Sequence, residues 1–373
     1  MGFPKAGPFR SRSYSLLADS YAPSPLPSAL DLRGSQQRIV KDANGANVAY
    51  VYYEEERGRR TAANLMTPDE ARCERECWMH PTSFRIGDMT IHRIVESEAP
   101  FMDAMEFLPS LTPEVLDEHR SWLQPASLEP ASGKLIFCFQ SYVVRTPHHV
   151  VLIDSCVGND KNRPTRPSWH MKTDQTYMSA LASAGIAVES IDYVMCTHLH
   201  PDHVGWNTRL DNGHWVPTFP NARYVFTDRE LAHWTERNAQ NPIDCIVDSV
   251  LPVVAANRAE LVRSDHALND YVRLLPTPGH TPDHFAVLLG KSGPGAVVTG
   301  DLIHSPLQAR YPELSCKPDY DRRQAARTRR AFLERFCDSG TLCCTAHFPS
   351  PSVGHIARFS DGFRWDRVEA IAP

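Results

Sequence analysis

From residue 84 onward the apolar positions recur with two alternating periods. FRIGDMTIHRIVE (84–96) alternates with period two and predicts paired strands, whereas PEVLDEHRSWL (113–123) has the wider spacing of a helix face. LIFCFQSYVVRTPHHVVLIDSCVG (135–158) predicts two or three strands, the last ending at Asp154. A helix over DQTYMSALASAGI (174–186) leads to the strand IDYVMCT (191–197). ARYVFT (222–227) and the helix DRELAHWTERNA (228–239) follow, and then the strands YVRLLPTPG (271–279), HFAVLLG (284–290) and GAVVTGD (295–301). The charged helix DRRQAARTRRAFLERF (321–336) precedes a last strand, TLCCTAH (341–347). Strands in groups with intervening helices predict a layered domain of sheets and helices.

Upstream the texture differs. RIVKDANGANVAYVYYEEE (38–56) alternates around Asn44-Gly45, a hairpin signal. Thr67-Pro68-Asp69-Glu70 has the cap, first-turn proline and acids of a helix start. Residues 1–36 carry Pro, Ser, Ala and Arg without a period and predict a mobile arm. The expected organisation is therefore an N-terminal extension over 1–80 and one main domain over 81–373. Cys73, Cys77 and His80 form a trio without a fourth partner, a weak metal signal.

Composition narrows the class. Of 373 residues 42% are hydrophobic and 22% charged, the mix of a globular chain. With 39 Lys and Arg against 44 Asp and Glu the net charge is −5, so no basic field invites nucleic acid or anionic lipid. No apolar run is long enough to span a bilayer, and the first residues lack the apolar stretch of a secretory signal. The 10 cysteines are scattered and largely in strand-like contexts, which favours reduced thiols and a cytoplasmic location. Five arginines (322, 323, 327, 329 and 330) are expected on a solvated helix face. The 17 histidines are the unusual feature.

The strand 191–197 runs into His198-Leu199-His200-Pro201-Asp202-His203. Imidazoles and a carboxylate packed this closely stay repulsive or unsatisfied unless a cation sits between them, and His/Asp donors suit zinc or a similar first-row ion. Three further donors end apolar strands: His280 in Pro-Gly-His-Thr-Pro, Asp301 in Thr-Gly-Asp, and His347 in Ala-His-Phe-Pro. Strand ends along one sheet edge are where distant residues converge. Five histidines and two aspartates are enough for two ions.

This order of residues resembles the metallo-β-lactamase-fold hydrolase superfamily over roughly 84–360. The resemblance implies an α+β fold, an αββα sandwich with two Zn2+ ions at one edge of the sheets; iron or manganese would suit the same donors. It implies that His198, His200 and His280 hold one ion, that Asp202, His203 and His347 hold the other, and that Asp301 bridges them. It also makes Asp154 a support behind the ligands, and Asp202 and Asp301 the catalytic carboxylates. An aspartate at 301 is similar to the lactonase and organophosphate-hydrolase branch rather than to true β-lactamases. DHVGWNT, FPNARY, GHTP and AHFPSPSVGHI resemble a bacterial branch that includes methyl parathion hydrolase, chlorothalonil hydrolytic dehalogenase and lactonases.

The expected reaction is hydrolysis of a small, fairly apolar ester, lactone or phosphotriester by a metal-bound hydroxide. Hydrolytic dehalogenation of a chlorinated aromatic, or mononuclear iron persulfide dioxygenase chemistry, are the alternatives. Candidate pocket residues are Trp206, directly after the metal motif, with Phe101, Met105, Phe107 and Trp215. His284, His304 and His355 are expected to make ordinary loop hydrogen bonds, and Cys156 to be a packed thiol. The expected partner is a small-molecule substrate, with a homodimer possible and neither nucleic acid nor membrane.

Overall fold

The computed structural model describes residues 36–41, 47–53 and 83–368. The chain divides into two units, Met1–His80 and Pro81–Pro373. In the first, β1 (Gln36–Lys41) pairs antiparallel with β2 (Asn47–Tyr53). The helix start at Thr67 and the Cys73, Cys77 and His80 trio lie outside the described residues.

The second unit is built on two sheets. Its seven-stranded sheet has the order β11-β10-β7-β6-β5-β4-β3, where β3 is Ser83–Ile86, β4 Met89–Asp103, β5 Lys134–Arg145, β6 Val150–Ile153, β7 Tyr193–Met195, β10 Arg223–Thr227 and β11 Ala259–Val262. Between β7 and β10, β8 (Thr208–Asp211) and β9 (His214–Pro217) form a separate hairpin. Its turn residues Asn212 and Gly213 both have positive φ, as a tight hairpin turn requires. The six-stranded sheet runs from β12 (Val272–Pro276) through β13 (Phe285–Leu289), β14 (Ala296–Val298), β15 (Leu342–Cys344) and β16 (Val353–Phe359) to β17 (Gly362–Arg367). Strands β11, β16 and β17 lie where the hydrophobic pattern alone marks no element.

The period-two alternation decides which residue faces which layer. Val144, Val151, Ile153, Met195 and Val225 of the first sheet pack against Leu274, Phe285, Val287, Val298 and Cys344 of the second. Their neighbours Val143, Leu152, Val194 and Tyr224 point the other way, onto Tyr177, Leu181 and Ile246. On the far side of the second sheet, Ala286, Val297 and Cys343 meet Phe332, Leu333 and Phe336. Each such buried aliphatic or aromatic side chain contributes about 1.5–3 kcal/mol. The result is helix, sheet, sheet, helix: the sandwich expected.

Five helices matter below: α1 (Pro113–Leu123), α2 (Thr176–Ser183), α3 (Pro201–Val204), α4 (Asp228–Gln240) and α5 (Arg322–Phe336). Thr112 caps α1 with Pro113 at its first position, and Asp321 caps α5. Arg329 of α5 corrects the expectation of a solvated arginine face: it is wholly buried. Its polar partners all lie between Leu302 and Asp319. No helix among the described residues is long and apolar enough to cross a membrane. Seven of the eight described cysteines are buried; Cys156 is packed against Ser141, its Sγ 3.2 Å from that hydroxyl.

Candidate metal centre

Strand register brings the donors together. β14 and β15 are parallel, with Val298 opposite Cys344. Asp301 and His347 each stand three residues past those partners, so their side chains emerge side by side. β6 and β7 are likewise parallel, with Ile153 opposite Met195, and this sets Asp154 beside the turn that carries His198. That turn enters α3 through Pro201, which places Asp202 and His203 in its first turns. Gly205 follows at once, and a Cβ there would lie 1.9 Å from the Val157 carbonyl oxygen. Only glycine lets α3 press this closely on the 156–158 segment. Gly279, before His280, has φ +135° and its Cβ would meet the α5 backbone 2.3 Å away. Asp301 itself sits in a 3-10 turn, Gly300–Leu302, with φ −90° and ψ 25°.

The carboxylate of Asp301 divides the histidines into two sets. Its Oδ2 lies 3.2 Å from His280 Nε2 and 3.6 Å from His198 Nε2, and His280 Nε2 is 3.0 Å from His200 Nδ1. Its Oδ1 lies 3.0 Å from His203 Nε2 and 2.9 Å from His347 Nε2. Asp202 Oδ2 faces the same two rings at 3.9 and 3.6 Å. His198, His200, His280 and Asp301 thus form one group that could hold an ion, and Asp202, His203 and His347 a second. All seven sequence-predicted donors are brought to one place.

The donor chemistry fits cations. His198 Nε2, His203 Nε2 and Asp301 Oδ1 are buried and have no hydrogen-bond partner, although Oδ1 and His203 Nε2 are close. Buried polar atoms left unpaired cost about 1–3 kcal/mol each; lone pairs sharing one space around a cation remove that cost. The other ring nitrogens are engaged. Asp154 Oδ2 accepts from His203 Nδ1 at 2.9 Å and from the Thr197 hydroxyl at 2.9 Å, and its Oδ1 accepts from the Thr197 amide at 2.8 Å. Asp319 Oδ1 is 2.9 Å from His280 Nδ1, and the Cys138 carbonyl is 3.1 Å from His347 Nδ1. Such outer contacts fix the tautomer and ring plane of a ligating imidazole.

Electrostatics follow from crowding. Burial, then neighbouring imidazoles, push His198 and His200 well below the ordinary histidine range, which leaves them neutral. Burial also opposes charge on His203 and His280, but Asp301 with Asp154, and Asp301 with Asp319, raise them well above it. Asp301 is held well below the carboxylate range because His203 and His347 outweigh its burial. In this set of donors protons stand where cations compete for the same lone pairs.

Several residues at the site carry no local motif. His304 Nε2 is 3.0 Å from Asp301 Oδ2, and burial pushes its pKa down to about 4; His284 Nε2 accepts from the Asp301 amide at 2.9 Å. Both were expected to be ordinary loop histidines, an expectation that only His355, bonded to the Thr341 carbonyl, follows. Glu230 of α4 is buried and accepts from the amides of Leu199 and Asp283 and from Trp234 Nε1, so one carboxylate ties the His198–His203 turn to the turn after His280. Its only sequence signal is an acid in a helix's first turn.

An aromatic wall stands on the His347 side. Phe137 stacks on His347 at 5.3 Å, Phe107 meets His304 edge-on at 5.2 Å, and Phe101 stacks on Phe137 at 5.1 Å. Phe101 and Phe107 are thus part of the aromatic cluster that packs on His304 and His347. Trp206 is not: it stacks on Tyr177 at 5.4 Å in the core behind the sheet and donates to Glu96 at 2.7 Å. Following the ligands in sequence placed it near them, but the 3-10 turn Gly205–Asn207 carries it away from them. Trp215 lies under the Lys161 ammonium at 3.6 Å, and Met105 is 39% exposed.

The family model of the metallo-beta-lactamase superfamily matches residues 140–347, more than half of the chain. An N-acyl homoserine lactonase from Bacillus sp is 28% identical over 126 residues, 33% of this chain and 44% of that protein. The chain thus spans less than half the length of that relative. The uncharacterized protein YobT of Bacillus subtilis (strain 168) is 22% identical over 169 residues, 44% of this chain and 62% of its own length. Among solved structures, the hydrolase AbOPH superposes with a TM-score of 0.65 at 24% identity, covering 78% of this chain and 97% of that one. The dizinc quorum-quenching lactonase AidC gives 0.64 at 19% identity, covering 77% and 96%. These likenesses show a shared fold. Together with the match across the central strands and the donor-bearing turns, they establish that the chain belongs to the metallo-β-lactamase superfamily.

Proposed function

We propose that this protein is a metal-dependent hydrolase that holds two divalent ions, zinc in the first instance, and cleaves a small, fairly apolar ester or lactone. The observation that carries this reading is the split of the Asp301 carboxylate, Oδ2 toward His198 and His280 and Oδ1 toward His203 and His347. His198, His200 and His280 would hold one ion, Asp202, His203 and His347 the other, with Asp301 between them. When bound, such ions lower the pKa of a water toward neutrality and polarise a carbonyl or phosphoryl oxygen.

The chain's own residues supply the rest. Asp154, Asp319 and the Cys138 carbonyl hold three imidazoles with Nε2 turned to Asp301. Asp202 is the most open carboxylate of the group, 14% exposed at its side chain against 5% for Asp301, and takes and returns a proton at its carboxylate. Phe101, Phe107 and Phe137 exclude water on one side and pack an apolar substrate portion. The lactonase likeness of AidC and of the Bacillus relative supports a lactone as the first substrate to try.

The test is the metal content of the purified protein by elemental analysis, with turnover of acyl lactones, aryl esters, phosphotriesters and haloaromatics before and after exhaustive chelation. Two ions per chain and turnover lost on chelation and regained with zinc are expected. Turnover that survives removal of the metal would end this reading.

A further inference from the structure

The arginine that α5 buries has no part in the reading above, yet two of its four polar contacts, Leu302 and Asp319, adjoin the first donor set. Arg329 Nε donates to the Leu302 carbonyl at 2.7 Å, one residue past Asp301. Its Nη1 donates to the carbonyls of Pro312 and Leu314 at 2.8 and 2.9 Å. Its Nη2 lies 3.6 Å from Asp319 Oδ2, an ion-pair approach without a hydrogen bond. Asp319 in turn accepts from the Cys316 amide at 2.9 Å with that same oxygen, and its Oδ1 faces His280 Nδ1. The 302–319 segment is thus bound to one guanidinium, and the turn at His280 is joined to it through Asp319.

Burying a guanidinium costs several kcal/mol unless charge and hydrogen bonds compensate it. Stability alone does not require one here, since apolar residues of similar volume commonly serve as well in such positions. What the guanidinium provides is direction. With Asp319 Oδ1 placed to accept from His280 Nδ1, the ring is turned so that Nε2 faces Asp301 and is the nitrogen left for an ion. With Leu302 held by its carbonyl, the turn that carries Asp301 is fixed against the same helix. Gly279 lets α5 approach His280 closely enough for this, because any side chain there would collide with the backbone of Ala325.

We propose that Arg329 is a positioning residue for the first donor set: its charge beside Asp319 and its hydrogen bond to the Leu302 carbonyl hold Asp319 against His280 Nδ1 and fix that ring relative to Asp301, and so govern the ion held by His198, His200 and His280 while leaving the other ion alone. This rests on the two-ion reading.

The experiment is cobalt binding to the full chain by chelator competition, followed by the visible d–d absorption of each ion, in wild type, Arg329→Lys, Asp319→Asn and the double variant. Lysine keeps the charge but cannot reach three carbonyls and a carboxylate at once. Asparagine keeps the volume but must turn an amide donor either to His280 Nδ1 or to the Cys316 amide and the guanidinium. Each single variant is expected to weaken one ion about 10–100-fold, the usual effect of removing an outer partner of a ligating histidine. The other ion should stay within about twofold, and the double variant should be no worse than the weaker single, since both act through one chain of contacts. Unchanged cobalt binding, or equal weakening of both ions alongside a lowered unfolding midpoint, would reduce Arg329 to a structural buttress and overturn the inference. Should Arg329→Lys fail to fold, Asp319→Asn decides by the same criteria. A wild type that binds no ion overturns the two-ion reading and this inference together; a wild type with two ions and unaltered variants overturns the inference alone.

Discussion

Asp154 Oδ2 accepts from His203 Nδ1 at 2.9 Å, and Asp154 does so from a left-handed backbone, φ 57°. Asparagine tolerates that conformation better than most residues, so Asp154→Asn changes the chemistry without a backbone penalty. It keeps one carbonyl acceptor but turns a donor toward either Thr197 or His203. Metal affinity of the second donor set is expected to fall about 10–100-fold. Competition with a chelator of known affinity measures it, and an unchanged affinity would remove Asp154 from its supporting role.

Removal of metal should cost stability as well as turnover. Ions that bind only the folded chain stabilise it by about 2.7 kcal/mol per site at a free concentration one hundred times Kd. The unfolding midpoint is expected to drop on chelation and return with zinc, followed by circular dichroism. A midpoint indifferent to metal contradicts the site.

Short-range signals were the legible part. His198, Asp301 and His347 follow apolar strands at the same distance, and a strand's end can be read locally. The converse holds for residues that arrive by tertiary packing. Asp319 sits in an irregular loop, Arg329 is one of six arginines on α5, and Phe137 is one apolar residue in a strand of many. Only the helix period separates Arg329, which shares a face with Ala325, Phe332, Leu333 and Phe336, from Arg330, which lies exposed near Glu313. Trp206 shows the opposite failure: sequence proximity to the ligands suggested a pocket wall, but a single 3-10 turn aims the ring into the core.

A pH effect on folding is expected away from the donors. Lys161 is wholly buried, with Nζ 2.7 Å from the Thr208 hydroxyl and 3.9 Å from Asp248 Oδ1. Burial, only partly offset by Asp248, lowers its pKa from 10.5 to about 7. Below pH 7 both folded and unfolded chains carry the proton and the cost of burying it is paid in full. Between about 7 and 10.5 the unfolded chain binds more protons, so stability rises with pH. The gain from this residue is at most about 4 kcal/mol between pH 7 and 10. Urea unfolding at both pH values should show a slope that Lys161→Met removes; an identical slope in the variant would refute it.

Phe137, stacked on His347, tests the proposed apolar wall separately from the donors. Phe137→Leu retains an apolar side chain but loses the face stacked on His347. For an aryl ester or a long-chain lactone, KM is expected to rise about tenfold, equivalent to about 1.4 kcal/mol, with kcat less affected. Equal changes for apolar and small polar substrates would show that the ring is not a specificity wall.

The donors do not belong to one sheet. His198, His200, Asp202 and His203 follow β7 of the seven-stranded sheet, whereas His280, Asp301 and His347 follow β12, β14 and β15 of the six-stranded one. Neither half of the chain holds a complete set. An ion seated there works as a clasp across the sandwich, and its capture reports that both layers have closed. A chain cut in the exposed turn around Ser264–Asp265 would then come back together most readily when the metal is supplied.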